Sequence, residues 1–163
     1  MLIRLLSFIG LFGLSQGSYA SLTEQELEAV RDASSVFNLD ACLLYALQVG
    51  EGGTTGVDKV HNNGSIDTGI SQINKGGVWM RLLKEKFGIS HESIRDNGPI
   101  NILSSGYILR TELNRTHDIV LALSSYHRGF GKRYSKSGLQ YSNRILNIYK
   151  NISVKRICKS LIT

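Results

Sequence analysis

Apolar residues recur at helical spacing over most of the chain, and short polar stretches separate them. This periodicity predicts helices over 24–37, 41–51, 78–87, 99–114, 118–126 and 139–152. Residues 54–75 are instead rich in Gly, Asn, Asp and Thr, and the tight-turn pair Asn63-Gly64 indicates a small hairpin or irregular lobe. A glycine-containing basic loop is expected over 128–137. The predicted fold class is mainly α (α+β), a helical domain with a small β or loop lobe.

Cap residues mark several of the helix ends. Thr23 and Glu26 have the spacing of a capping box at the start of the first helix. Asp40 is placed to cap the second helix. Gly52 and Gly88 follow apolar runs, and each can end a helix by adopting a positive φ.

The first twenty residues have the composition of a secretory signal peptide. Arg4 supplies a positive charge, residues 5–14 are apolar, and Ser18-Tyr19-Ala20 is a small-x-small cleavage site. The apolar stretch is shorter than the roughly 20 residues that a spanning helix needs, although an uncleaved anchor is the alternative. We therefore expect a leader over 1–20 and one exported domain over 21–163, with no membrane span after cleavage.

Positive charge is concentrated in the last third of the chain. The formal net charge is +6, and it becomes +5 without residues 1–20. No acidic residue follows Asp118, whereas the same stretch contains nine basic residues: Arg128, Lys132, Arg133, Lys136, Arg144, Lys150, Lys155, Arg156 and Lys159. This asymmetry favours a polyanionic partner, such as a cell-wall polymer, anionic lipid or nucleic acid, whereas a solvated basic face is the commoner explanation for any single lysine. Export argues against nucleic acid.

The chain has two cysteines, Cys42 and Cys158. In an oxidising compartment such a pair favours a disulfide, which would tie the basic C-terminal region to the second helix. The alternative is two free thiols, with Cys42 packed as a small apolar residue. Two cysteines with no histidine partner nearby do not predict a metal site.

Two carboxylates are candidates for catalysis. Glu51 ends an apolar helix, where the helix dipole and burial both disfavour its ionised form, so it is a candidate general acid. Asp67 lies in the polar segment and is a candidate nucleophile or charge stabiliser for a glycosidic bond. The alternatives are a solvated glutamate at a helix end and an aspartate that bonds its own turn.

The polar segment 62–74 supplies candidate sugar contacts. Its side-chain amides and hydroxyls can bond sugar groups, and its glycines permit close approach of a ligand to the backbone. The predicted substrate-binding residues of this segment are Asn63, Ser65, Gly69, Gln72 and Asn74. For Asn63 and Ser65, a role in turn structure is the competing explanation.

Three segments carry a resemblance to a known family. Residues 46–53, 63–74 and 125–129 resemble soluble lytic transglycosylases, most closely the small exported members that accompany type III and type IV secretion, pilus and conjugation machines. The likeness covers about residues 30–145. The middle segment also resembles chicken-type lysozymes, in which an aspartate stands at the place of Asp67. The resemblance implies a lysozyme-like α fold, Glu51 as catalytic acid/base, and a glycan groove lined near it by Gln72 and Tyr126.

The chain departs from the family pattern at several positions. Gly52 stands where serine is common, and Ser71 where methionine usually precedes the glutamine. His127 replaces an asparagine after Tyr126. It is a candidate contact to sugar or Glu51, although a partly exposed helix-end histidine is the commoner case. Ile100 follows Pro99 where many secretion-associated relatives have a cysteine, so the proposed bridge is not inherited from that pattern.

The expected function is a peptidoglycan lytic transglycosylase that acts in the periplasm and opens the wall locally for a secretion, pilus or conjugation apparatus. The expected partners are glycan strands and components of that apparatus, and no cofactor or metal is needed. A hydrolytic muramidase that uses Glu51 and Asp67 is the close alternative. A non-catalytic wall-binding scaffold is the alternative from another class.

Overall fold

The computed structural model describes residues 22–151, 158 and 161. The predicted leader over 1–20 and its cleavage site lie outside the described residues. The described part contains helices α1 Glu24–Phe37, α2 Ala41–Glu51, α3 Val78–Phe87, α4 His91–Asp96, α5 Gly98–Thr116, α6 Ile119–Arg128 and α7 Lys136–Lys150, and strands β1 Asp58–Val60, β2 Ile66–Thr68 and β3 Ile73–Asn74. The predicted class, mainly α with a small β lobe, is confirmed.

The predicted caps of α1 and α2 are present. The Thr23 hydroxyl accepts from the Glu26 backbone N–H at 3.3 Å, and the Glu26 carboxylate accepts from the Thr23 N–H at 2.8 Å. Asp40 accepts the first free N–H groups of α2, and Gly52 ends that helix with φ +61°. Helix α2, which carries Glu51, is therefore fixed at both ends by local chemistry.

Two features of the predicted helix pattern are wrong. Helix α4 was not predicted, because its six residues are too few to show a helical apolar period, although Ser90 caps it. The expected basic loop over 128–137 is mostly helical. Arg128 ends α6, a single 3₁₀ turn spans Phe130–Lys132, and α7 begins at Lys136.

Helix α7 therefore starts three residues earlier than the predicted position 139. The cause is Ser135, whose hydroxyl accepts from the Gly138 N–H at 3.2 Å and caps the helix. The predicted helix end at 152 lies outside the described residues.

The main core is built around α2. Leu44, Ala46 and Leu47 are fully buried, and α2 packs against α1 and α7 while α5 and α6 complete the helical layer. A smaller core joins α3, α4 and β3 to α5 through five buried residues: Ile73, Met80, Leu83, Ile94 and Ile108. The helix that carries Glu51 is thus the most enclosed element of the fold.

The β lobe is a three-stranded antiparallel sheet in the order β1-β2-β3. Asn101 of α5, which is fully buried, fixes it to the helices. Its amide donates to the carbonyls of Thr68 and Ile94 at 3.0 and 2.9 Å and accepts from the Ser71 N–H at 2.9 Å. The space beside Gly69 is filled by the same amide, since a Cβ there would lie 2.2 Å from Asn101 Nδ2.

A disulfide joins Cys42 of α2 to Cys158, with a Cα–Cα distance of 5.2 Å. The predicted bridge is therefore present, and it is compatible with an oxidising, exported environment. Within the described part of the chain, no helix has both the length and the apolar character needed to cross a bilayer.

We expect the paired substitution Cys42→Ser and Cys158→Ser to lower the free energy of unfolding by about 2–5 kcal/mol, because the bridge closes a very long loop of the unfolded chain. Urea unfolding measures this loss. The wild type in reducing agent should behave like the variant, whereas equal stability with and without reducing agent would show that the bridge does not constrain the chain.

Candidate active site

The Glu51 carboxyl lies between helices, at the C-terminal end of α2. Its Oε1 accepts a hydrogen bond from the Tyr141 hydroxyl of α7, a contact between residues ninety positions apart. Tyr141 is buried, with 4% of its surface exposed, whereas Glu51 as a whole residue keeps partial access to solvent. The Tyr141 hydroxyl therefore holds a carboxyl whose own residue is only partly exposed.

Burial raises the pKa of Glu51 from 4.5 to about 7. The hydrogen bond from Tyr141 and the charges of Arg144 and Lys59 act in the opposite direction, and the charge of Asp67 adds to the rise. The direction agrees with the sequence-based expectation, and loss of hydration is its dominant cause. A carboxyl with this pKa can both donate and accept a proton near neutral pH.

A glycine allows α2 and α7 to approach closely at this point. A Cβ on Gly50 would lie 2.1 Å from the terminal methyl group of Ile145, so with any larger residue at position 50 the Ile145 side chain would have to move. Arg144, one position before Ile145, donates to the Gly50 carbonyl at 2.7 Å. The Tyr141–Glu51 contact thus depends on close packing of two helices.

The second glycine of the Gly52-Gly53 pair joins the helix to the β lobe. A Cβ on Gly53 would lie 2.2 Å from the Gly69 carbonyl oxygen and 2.7 Å from the Gln72 amide nitrogen. Gln72 itself has φ +49° and donates to the Gly69 carbonyl at 2.8 Å. The predicted site residues Gly69 and Gln72 therefore lie beside Gly53, two residues beyond the end of the helix that carries Glu51.

Asp67 lies in β2 with both carboxylate oxygens engaged. His61 Nε2 is 2.7 Å from Oδ2, and the Asn74 amide donates to Oδ1 at 2.8 Å. The side chain keeps 26% of its surface exposed. Asp67 acts on the Glu51 carboxyl through its charge, while His61 and Asn74 fix its orientation.

A buried polar chain runs behind the site and includes Tyr126. The Ser71 hydroxyl donates to Gln48 at 2.6 Å, and the Gln48 amide donates to Ser105 at 2.9 Å. The Tyr126 hydroxyl donates to the Ser71 carbonyl at 3.1 Å. Ser71 is thus a polar link in this chain, which explains why a hydroxyl rather than an apolar side chain fits beside Gln72.

The imidazole of His127 stacks on the Tyr141 ring, with ring centroids 4.4 Å apart and planes 1° from parallel. Burial, and then the charges of Arg128 and Arg144, lower the pKa of His127. The lowered pKa favours the uncharged imidazole, and the ring covers the tyrosine that bonds Glu51.

Asn63 and Ser65 lie in the exposed turn between β1 and β2. Asn63 Oδ1 accepts from the Ser65 N–H at 3.1 Å and from its hydroxyl at 2.8 Å. These contacts shape the turn, and among the described residues neither side chain bonds any other site residue. Their role in sugar binding stays a prediction.

Sequence reasoning assigned no catalytic role to Tyr141, Arg144 or His61. Tyr141 and Arg144 reach Glu51 and its helix only through tertiary packing, for which the sequence has no local signal. His61 directly follows β1 and Asp67 lies in β2, and the antiparallel pairing of these two strands brings the two residues together. A strand pairing inferred from the Asn63-Gly64 turn is the one signal that indicates this pair.

The arrangement supports acid–base chemistry by a protein carboxyl. Within the described residues, no cluster of three or more His, Cys, Asp or Glu side chains is placed to hold a metal ion. Glu51 can supply a proton to a leaving oxygen, and the fixed carboxylate of Asp67 can stabilise positive charge nearby.

We expect the free energy of unfolding of Glu51→Gln to exceed that of the wild type, by an amount that grows as pH rises. Because the folded-state pKa is raised, the wild type loses stability between about pH 4.5 and pH 7, as the carboxyl ionises more readily in the unfolded chain. The variant has no ionisable group at position 51, so its stability does not fall over this pH range for that reason. Its advantage should be small at pH 4 and about 3 kcal/mol at pH 8 by urea unfolding. Glu85→Gln, at an exposed position of α3, is the matched control. An advantage that does not grow with pH would contradict the raised pKa.

No protein-family model and no curated protein matches this chain. The likeness of its three motifs to soluble lytic transglycosylases therefore stays an expectation drawn from the sequence. The proposed function therefore rests on that likeness together with the contacts of Glu51, Tyr141 and Asp67.

Proposed function

We propose that this protein is an exported peptidoglycan lytic transglycosylase in which Glu51 is the only group that exchanges protons with the substrate. The observation that carries the proposal is the Glu51 carboxyl, which is buried, bonded by Tyr141 and has a pKa of about 7. A general acid works best when its pKa lies near the working pH. The motif resemblance indicates the bond, the β-1,4 linkage between N-acetylmuramic acid and N-acetylglucosamine.

In the first step, protonated Glu51 gives its proton to the bridging oxygen as the bond from that oxygen to the muramic C1 breaks. The N-acetylglucosamine end leaves as an alcohol, and C1 carries oxocarbenium-like positive charge. In the second step, ionised Glu51 takes the proton of the muramic C6 hydroxyl while O6 bonds to C1. The product is a 1,6-anhydro sugar, no water is consumed, and Glu51 is again protonated.

The contacts of Asp67 favour this pathway over hydrolysis through a covalent intermediate. A nucleophilic carboxylate must direct one oxygen at C1. Both oxygens of Asp67 are already engaged, by His61 and by Asn74. A carboxylate fixed in this way suits stabilisation of charge at C1 better than attack on it.

A muramidase that hydrolyses the same bond is the second candidate. The observation in its favour is the partial exposure of Asp67 together with the effect of its charge on Glu51. In that case Asp67 stabilises or attacks C1, and water completes the reaction with a reducing end as product.

The predicted leader and the disulfide support an exported place of action. Residues 1–20 have signal-peptide character, and the Cys42–Cys158 bridge suits an oxidising compartment. We place the enzyme in the periplasm of a Gram-negative cell. There, local cleavage of the wall would let a secretion, pilus or conjugation apparatus pass.

Mass analysis of digested peptidoglycan tests the proposal. The wild type should release muropeptides with 1,6-anhydro ends, which are lighter than hydrolytic products by one water. Glu51→Gln should lower the rate by at least about a thousandfold, because the general acid is lost. Glu85→Gln, an exposed glutamate on α3, should match the wild type.

The other outcomes separate the alternatives. Products with reducing ends would show hydrolysis and would support the muramidase instead of the transglycosylase. Products released at equal rates by the wild type and Glu51→Gln would show that Glu51 takes no part in the reaction. No product from either would leave a wall-binding scaffold and overturn the enzymatic proposal.

A further inference from the structure

The connection between α6 and α7 carries a dense set of cations that the proposed reaction at Glu51 does not use. We call residues 128–136 the basic turn. These nine residues include four basic side chains and no acidic one. The basic residues are Arg128, Lys132, Arg133 and Lys136, and all except Arg133 are exposed.

Two arginines enclose the Phe130 ring at the centre of the basic turn. The guanidinium carbon of Arg115, in the last turn of α5, lies 3.7 Å from the ring centre, and that of Arg133 lies 4.0 Å from it. Two guanidinium groups this close to one ring centre would collide on the same face, so they lie on opposite faces. Arg133 also lies over the Tyr134 ring, at 4.6 Å. Cations and aromatic rings therefore alternate in one stack of four side chains.

The stack is fixed to the helices on either side of it. The Ser124 hydroxyl of α6 donates to the Arg133 carbonyl at 2.5 Å, and Arg133 Nη1 donates to the Phe130 carbonyl at 2.9 Å. A Cβ on Gly138 of α7 would lie 2.0 Å from the Ser124 hydroxyl oxygen, so the two helices pack closely here. The side chains of the stack are thus already ordered, which lowers the entropy that binding would cost.

Only one cation of the stack is neutralised within the described part of the chain. Arg115 pairs at 3.1 Å with Glu112, which is buried with 1% of its surface exposed. The second oxygen of Glu112 accepts from the Ser125 hydroxyl at 2.5 Å. Among the described residues, no carboxylate lies within 4 Å of any basic side chain of the basic turn. This excess of positive charge favours an anionic partner.

The aromatic members of the stack indicate which kind of anionic partner fits. Tyr134 has 65% of its surface exposed, and Phe130 is partly exposed. A tyrosine with an apolar ring and a polar end suits the boundary between lipid headgroups and hydrocarbon. Charge alone attracts a soluble polyanion such as polyphosphate, so the exposed ring favours a partner that has an apolar layer beneath its charges.

We propose that the basic turn and its stack bind the anionic headgroups of a phospholipid bilayer, so that the protein acts at a membrane surface. The inference goes beyond the proposed function, because it concerns where the protein is held and not the reaction at Glu51. Clusters of four or more basic residues on one short segment are typical of binding to anionic lipid. The stacked rings cover the faces of the guanidinium groups and leave the edges, which carry the N–H groups that suit phosphate.

Flotation with lipid vesicles tests this inference. The protein is mixed with vesicles of equal parts phosphatidylcholine and phosphatidylglycerol, and separately with vesicles of phosphatidylcholine alone. It should bind the anionic vesicles more tightly, and this binding should weaken as salt rises. A leader that stayed attached would float the protein on both kinds of vesicle, so the difference between them measures the attraction to anionic headgroups.

The double change Lys132→Gln and Lys136→Gln should weaken binding to the anionic vesicles by about thirtyfold, since each basic residue near such a surface contributes about fivefold. Tyr134→Gln should weaken it several-fold without a change of charge. The matched control is the double change Arg81→Gln and Lys84→Gln, which removes the same charge from exposed positions of α3. Its binding should stay within about twofold of the wild type.

Failure of the wild type to prefer anionic vesicles would overturn the inference, as would equal losses in the double variant and in the control. An unchanged affinity of Tyr134→Gln for the vesicles would also overturn it, because charge alone would then explain the attraction. Tighter binding to polyphosphate than to vesicles would favour a soluble polyanion instead. Anhydro products from a protein that does not bind vesicles would contradict only the membrane inference, whereas vesicle binding without cleavage would contradict only the enzyme.

Discussion

The hydrogen bond from the Tyr141 hydroxyl to the Glu51 carboxyl is the contact on which the site depends. It joins the end of α2 to the middle of α7 and encloses a carboxyl that would otherwise be hydrated. The close packing at Gly50 and the Cys42–Cys158 bridge hold the same helix in place. Loss of hydration raises the Glu51 pKa, and the tyrosine limits that rise. The fold thereby produces a carboxyl that holds or releases its proton near neutral pH.

Local sequence chemistry predicts most of this fold. The capping box at Thr23, the Asp40 cap and the C-terminal Gly52 act within a few residues, so the ends of α1 and α2 can be predicted from the chain alone. Helix α4 cannot be predicted in this way because its six residues are too few to show an apolar period. The predicted start of α7 is three residues too late because the basic residues of 128–137 were interpreted as a loop, although Ser135 caps the helix.

The site residues also fall into two groups: those that a local sequence pattern indicates and those that only tertiary packing brings together. Glu51 was predicted because its position at the end of an apolar helix, before two glycines, is itself a local pattern. Its partner Tyr141 lies ninety positions away, and no local pattern indicates which tyrosine a helix end will meet. His61 likewise had no assigned role, yet it bonds one carboxylate oxygen of Asp67. Sequence reasoning thus predicts the candidate acid, and tertiary packing supplies the groups that shift its pKa.

The most direct test is the protonation of Glu51 itself. Titration of its side-chain carboxyl carbon by NMR, with ¹³C-labelled protein and Glu51→Gln used to assign the signal, gives the pKa without substrate. The account predicts a midpoint near pH 7, in keeping with a buried carboxyl bonded by Tyr141. A midpoint at the ordinary glutamate value of 4.5 would mean that the carboxyl is solvated and unsuited to act as the general acid.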